Sequence, residues 1–290
     1  MNKLTMLDYV KETPGVLRTN IEQYTTLVDP LMKEVQQKEI KRILLVASGS
    51  SHNACYCARS FVEKVSGLEV RIITPYTFTY YENDIKEDDL VLVVTQSGLS
   101  TNAIEALKII KKKECKAICL TGNKNSDVKD VADVVIEYGV GEELVGYVTK
   151  GVSSLALFLD LFAIAYSGKT EYLDELKKAA DLNEEMIDQA TNFIQRHYKN
   201  FTSMSWVYSC GAGANYGTAL ESALKMGETI HIPSCCYEIE EYIHGPNLQL
   251  TPQYNVIFFD GNDSASRRVE QVYKACLLYT SPSPRDGATS

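Results

Sequence analysis

Short, largely continuous apolar runs constrain this chain more than any other feature. Ile43-Leu44-Leu45-Val46-Ala47, Glu69–Thr74, Asp89–Thr95 and Lys116–Thr121 do not alternate apolar with polar side chains. A strand with one wet face alternates; one apolar throughout is buried on both faces, as in a parallel sheet covered by helices. Val134-Val135-Ile136-Glu137 is a fifth such run. Helical spacing through Lys64 and again to about Lys113 separates the runs. Strand, turn and helix in this alternation give a doubly wound α/β layer. Ligands of such layers bind beyond the carboxyl ends of the strands. Two polar turns lie there: Ser48-Gly49-Ser50-Ser51 and Gln96-Ser97-Gly98-Leu99-Ser100-Thr101.

The expected organisation has five parts. Residues 1–38 form a helical arm, with helix starts at Thr13-Pro14 and Asp29-Pro30. Residues 39–168 form the first α/β domain, closed by a buried helix over Val152–Tyr166. Residues 169–203 are a charged helical connector, and 204–275 a second, incomplete copy of the first domain. Setting Gly211 on Gly49 gives an offset of 162, which pairs Asn215 with Asn53 and lays Ala219–Glu228 over the first copy's helix. It also predicts a strand near 252–257, and Asn255–Phe259, Asn-Val-Ile-Phe-Phe, stands there. A complete second copy would run to about residue 328 on that offset. Residues 276–290 change composition abruptly and are set apart as a non-native tail.

Composition narrows the partners. The 290 residues carry a formal charge of −9, and the tightest basic run is Lys111-Lys112-Lys113. That disfavours nucleic acid, whose binding needs phosphate-neutralising cations. The N-terminus lacks a secretory h-region, and the longest apolar stretch is short for a bilayer and holds Asp160. A cytoplasmic location is expected, with no membrane contact and the eight cysteines reduced, small and buried.

An acidic chain can still hold a small anion at a local site. Ser50, Ser51, Thr95, Gln96, Ser97 and Ser100 stand where helices begin. Free N–H groups and the positive helix end suit an anion there, and hydroxyls add donors without charge. The same serines also read as ordinary N-caps. No GxxxxGK[ST] or GxGxxG occurs in these turns, which speaks against nucleoside triphosphates and dinucleotides. Farther on, Glu221, Lys225 and Glu228 at i, i+4 and i+7 share a helix face. Two carboxylates beside an ammonium can place one as a base, and a nearby His can act as an acid near neutrality. Such a face also reads as an exposed Glu–Lys ladder. His52 and His231 read as structural, and His197 as a surface residue of the connector.

The Ser48–Ser51 turn, Thr95–Thr101, Glu143-x6-Lys150, Ala219–Glu228 and His244-Gly245-Pro246 together resemble the sugar isomerase (SIS) domain family. The resemblance runs from about residue 5 to about 275, and is similar to the isomerase halves of glutamine–fructose-6-phosphate amidotransferases and to free-standing fructosamine- and glucoselysine-6-phosphate deglycases. It implies two SIS units in tandem, the second truncated. It implies that Ser50, Ser51, Thr95, Gln96, Ser97 and Ser100 hold a substrate phosphate, although Thr95 stands where the family has Ser and Leu99 where it has an acidic residue. It implies Glu228 as the base between C1 and C2, His244 as the ring-opening residue, Glu221 and Lys225 as their support, and Thr149 and Lys150 as pocket support. It further implies a phosphorylated sugar or sugar-amine substrate, no metal or organic cofactor, and a homodimer or higher homo-oligomer, because the amidotransferase histidine comes from a partner. No glutaminase segment precedes residue 1, so ammonia release from glutamine is not expected, and the family's C-terminal Schiff-base Lys would fall beyond this sequence. The expected activity is deglycation of a 6-phosphosugar amine. The alternatives are an aminosugar-phosphate isomerase or deaminase, a glucosamine-6-phosphate synthase-like isomerase domain, and a non-catalytic SIS module that senses sugar phosphate.

Overall fold

The computed structural model describes residues 4–36, 38–251 and 253–280. The chain divides into two compact units, Met1–Phe193 and Ile194–Ser290. The first contains α1 (Met6–Glu22), α2 (Tyr24–Val35), β1 (Arg42–Ala47), α3 (Gly49–Ser66), β2 (Glu69–Ile73), α4 (Pro75–Tyr80), β3 (Asp89–Thr95), α5 (Thr101–Lys112), β4 (Ile118–Thr121), β5 (Val134–Glu137) and α6 (Lys150–Ser167). Its last helix, α7 (Leu173–Arg196), crosses the division.

The five strands are parallel in the order β2-β1-β3-β4-β5. Both faces are covered, as the unbroken apolar runs require. Ile43, Leu45, Leu92 and Val94 pack with α1, α2, α3 and α6, while Leu44, Val46, Val91 and Val93 pack with Phe78 of α4 and Ala103, Leu107 and Ile110 of α5. All seven residues of β3 are buried. α6 is long and apolar enough to cross a membrane, but its Leu155, Phe158, Leu161 and Phe162 belong to this core.

The helical arm starts elsewhere than its prolines suggest. α1 begins after Thr5, whose hydroxyl accepts from the Asp8 N–H while the Asp8 carboxylate accepts from the Thr5 N–H at 2.7 Å. Pro14 lies inside α1 and Pro30 inside α2. Pro14 is buried, and its packing outweighs the hydrogen bond its ring removes. Arg18 of α1 ties down α7 through Asp181 (3.1 Å) and Glu184 (2.8 Å).

The second unit contains α8 (Tyr198–Thr202), β6 (Trp206–Gly211), α9 (Ala214–Lys225), β7 (Ser234–Glu238), α10 (Ile239–Ile243), β8 (Tyr254–Phe259) and α11 (Ser266–Thr280). Its parallel sheet has the order β7-β6-β8, the same as β2-β1-β3. The repeat is therefore present, but in a register two residues from the one set by Gly211. Gly213 (φ 57°) takes the place of Gly49 (φ 56°), and His231 (φ 60°) that of Gly67 (φ 76°), an offset of 164 at both ends of the helix. Gly211 instead ends β6, and a Cβ there would stand 2.2 Å from the Asn215 carbonyl oxygen. Tyr208, Cys210, Ile239, Tyr242, Val269, Val272 and Cys276 form this unit's core. The segment set apart as a tail thus starts inside α11, with Cys276 buried, while 281–290 lie outside the described residues. All eight cysteines are free, as expected; Cys55, Cys119, Cys210 and Cys276 are buried and the other four half-buried.

Candidate functional site

Ala47, the last residue of β1, pairs with Val94 of β3, so the turns after these strands are neighbours. α3 and α5 start from those turns and aim the N–H groups of their first residues at the same edge. A cavity of about 820 Å³ opens there, and Ser50, Ser51, Thr95, Gln96, Ser97 and Ser100 all line it. Gly122, Asn123, Glu137 and the segment 140–146 supply the other wall. Among the described residues, no lysine or arginine lines it.

The serines do not serve as plain caps. Ser48 and Ser100 occupy the N-cap positions of α3 and α5, yet neither side chain makes a capping hydrogen bond. Ser97 accepts from the Leu99 N–H at 3.2 Å. Gly98 lets the second turn fold: its φ is 66°, its carbonyl accepts from the Val128 N–H at 3.2 Å, and Ser126 lies against its Cα.

Gln96 is held from several sides. Its Nε2 donates to Glu143 Oε1 at 2.7 Å, and its Oε1 accepts from the Tyr138 hydroxyl at 3.2 Å. Its carbonyl accepts from the Gly122 N–H (3.0 Å) and Thr121 Oγ1 (3.2 Å). Burial pushes the Tyr138 phenol's pKa up, with the Glu143 charge adding to the effect, so the hydroxyl stays a donor. Glu143 accepts from the N–H groups of Thr149 (2.9 Å), Lys150 (2.7 Å) and Gly151 (3.4 Å) at the start of α6. The sequence presents Glu143 only as one end of a motif, with no role of its own, and nothing local in the sequence marks Tyr138.

Thr149 and Lys150 reach this edge through their backbone alone. The Thr149 hydroxyl donates to the Tyr147 carbonyl. Lys150 is only 3% exposed; its Nζ lies 2.6 Å from Glu12 Oε2 and 5.2 Å from the centre of the Tyr9 ring. It lines a second cavity, of about 550 Å³, with Tyr9, Glu12, Thr19 and Asn20.

In the second unit, Lys225 Nζ bridges Glu221 Oε1 (3.0 Å) and Glu228 Oε2 (2.6 Å), all three side chains being largely shielded. Glu221 and Lys225 belong to α9, and Glu228 to the π-helical turn Met226–Ile230 that extends it. π turns within helices recur at functional sites, because the extra residue re-aims the side chains around it. His244 is exposed at the end of α10, and among the described residues no hydrogen bond or ion pair joins it to the glutamates. His231 closes the π turn, His197 is exposed, and His52 is half-buried against Tyr56, its pKa lowered by burial.

A parallel α/β layer with hydroxyl-rich turns at neighbouring strand ends presents free N–H groups and hydroxyls to one cavity. Residues 38–165 match the family model of the SIS domain. Over 78% of its length the chain is 28% identical to a glutamine–fructose-6-phosphate aminotransferase (isomerizing) of Thermotoga maritima. It is 26% identical over 83% to that of Clostridium tetani. It spans 39% and 42% of those relatives. Among solved structures, a Clostridium difficile 630 protein named provisionally as a phosphosugar isomerase superposes with a TM-score of 0.85 at 26% identity, covering 96% of this chain and 80% of that one. The C-terminal domain of a Francisella tularensis glucosamine-fructose-6-phosphate aminotransferase shares the fold, with a TM-score of 0.81 at 21% identity, covering 96% and 81%.

Proposed function

We propose that the chain binds a 6-phosphosugar amine and moves a proton between its C1 and C2, so that the amine leaves and a hexose 6-phosphate forms. The observation that carries the reading is one cavity lined by seven hydroxyl- or amide-bearing residues, Ser48 among them, at two helix-starting turns. Ser50, Ser51, Thr95, Gln96, Ser97 and Ser100, with the N–H groups of α3 and α5, hold the phosphate. Holding one end of the sugar fixes the orientation of its reacting carbons, and positioning of this kind can supply several kcal/mol.

Glu228 is the base, and Lys225 orients its carboxylate from 2.6 Å while Glu221 holds Lys225. From an open-chain ketoamine, Glu228 takes a proton from C1 and gives the enaminol. Return of a proton to C2 leaves a C1=N imine. Water adds at C1, the C–N bond breaks, and the amine departs with a proton. His244 assists ring opening, and its exposure is compatible with this histidine serving a second copy in a homodimer.

Simple aldose–ketose isomerisation is the second reading, favoured by the relatives named as isomerizing aminotransferases. It uses the same C1–C2 proton transfer without amine release. Glu228→Gln tests the proposal, with released amine and hexose phosphate followed over a panel of 6-phosphosugar amines. Turnover should fall by about 10²–10⁴-fold with phosphosugar binding retained. Unchanged turnover would remove Glu228 from the chemistry. Wild-type binding without turnover of any phosphosugar would favour a sensor.

A further inference from the structure

Gln96 is the one phosphate candidate whose chemistry depends on which way its side chain is turned, since an amide presents a donor at one end and an acceptor at the other. The Tyr138 hydroxyl occupies Oε1 at 3.2 Å, and Glu143 Oε1 takes one Nε2–H at 2.7 Å. The second Nε2–H has no protein acceptor among the described residues, and Gln96 lines the serine-turn cavity. The amide also lies close against Gly151, its Oε1 end nearest: a Cβ there would stand 1.8 Å from Gln96 Oε1 and 2.9 Å from Nε2. Both its ends are thereby held, and Gly151 leaves the room it occupies.

Glu143 can do this only as a carboxylate. Its two oxygens face four donors: Gln96 Nε2 and the Thr149 N–H on Oε1, and the Lys150 and Gly151 N–H groups on Oε2. A carboxylate accepts at both oxygens, whereas an amide in its place must turn an NH₂ toward one pair. If that NH₂ faces Gln96, the Gln96 amide is driven to reverse, because Tyr138 can accept as well as donate. The cavity would then meet a carbonyl lone pair where it met an N–H.

From this geometry we infer that Glu143, with Tyr138, is a positioning residue that locks Gln96 as an N–H donor toward the substrate's anionic group. The role assigned to Glu143 is exerted through Gln96, although Glu143 also borders the cavity. The inference rests on the proposed phosphate role of the cavity and adds how one of its donors is given its sense. It also gives the Glu143-x6-Lys150 motif a physical purpose, because one side chain ties the start of α6 to the turn after β3.

The test is the affinity for fructose 6-phosphate, with fructose as control, of the wild type, Gln96→Ala, Glu143→Gln and the double variant. Each single change should weaken binding by about 10-fold or more, the weight of a hydrogen bond to a charged group. The double variant should bind no more weakly than Gln96→Ala alone, since Glu143 acts through Gln96. A Glu143→Gln variant that binds like the wild type overturns the inference. So does a double variant that loses the product of both effects, which is what a cap of α6 with no link to Gln96 would give. A wild type that binds fructose as well as fructose 6-phosphate overturns the phosphate reading and this inference with it. Tyr138→Phe provides the same cycle with Gln96→Ala where Glu143→Gln fails to fold; non-additive loss supports the lock, and additive loss or no loss overturns it.

Discussion

Gly98→Ala should break the second serine turn, and the structure supplies the size of the effect. Gly98 has φ 66°, where an L-residue pays about 1–2 kcal/mol for its Cβ. The added Cβ would stand 1.7 Å from Ser126 Oγ, 2.6 Å from Ser126 Cβ and 3.2 Å from Thr121 Oγ1. Ser126 is buried and donates to the Asn123 carbonyl at 2.6 Å, so moving it sacrifices a shielded hydrogen bond, about 1–3 kcal/mol more. Together the penalties come to about 2–5 kcal/mol. With a urea dependence of about 2–3 kcal/mol per M, the midpoint followed by far-ultraviolet circular dichroism should fall by about 1–2 M. Gly98→Ala/Ser126→Gly removes the collision and keeps the backbone strain, so the double variant should be no less stable than Gly98→Ala. A Gly98→Ala midpoint equal to that of the wild type would refute the reasoning, because neither strain nor collision would then exist.

Two further outcomes follow from single contacts. Asp89 is 2% exposed and takes a two-point contact from Arg42, Nε to Oδ1 at 2.8 Å and Nη2 to Oδ2 at 2.7 Å, so Asp89→Asn should cost about 3–5 kcal/mol by leaving a shielded guanidinium unpaired. Burial pushes the Asp89 carboxyl up, but hydrogen bonds from Arg42 and the Lys86 N–H outweigh it and hold the pKa below its ordinary value. Its contribution to stability is therefore present above the unfolded-state value of about 3.9 and is lost as pH falls through the lower folded-state value, a step that a urea series in acid should show in the wild type and not in Asp89→Asn. His231 holds at φ 60° the place that Gly67 fills in the first unit, so His231→Gly should raise stability by about 0.5–1 kcal/mol; a decrease in thermal midpoint would contradict that.

What the sequence disclosed follows from how local the physics is. β1 and β3 were legible because burial on both faces confines their polar residues to the strand ends, and the two serine turns because hydroxyls cluster directly after those strands. β7 is hidden in the sequence: Ser234–Glu238 follows Pro233, is half-buried throughout, and reads as neither alternating nor apolar. The prolines mislead because Pro14 and Pro30 read as helix starts, whereas the Thr5–Asp8 capping box and the burial of Pro14 set α1. Gly211 and Gly213 each offer a plausible register, and only the backbone conformation shows which one matches Gly49. The spacing of Glu221, Lys225 and Glu228 carried their ion pairs, since one helix makes them. Lys150 could not be placed the same way, because Glu12 lies 138 residues away, nor could the hold on Gln96, whose partners are 42 and 47 residues distant.

The proposed chemistry depends most on the serine-turn cavity being a phosphate site built without cations. Calorimetric titration of fructose 6-phosphate into the wild type and into Ser51→Ala/Ser97→Ala tests this most directly. A phosphate site there gives binding that fructose does not reproduce, that inorganic phosphate competes away, and that the double variant weakens by about 10-fold or more. Equal affinity for fructose and its 6-phosphate, or a double variant that binds like the wild type, would contradict it.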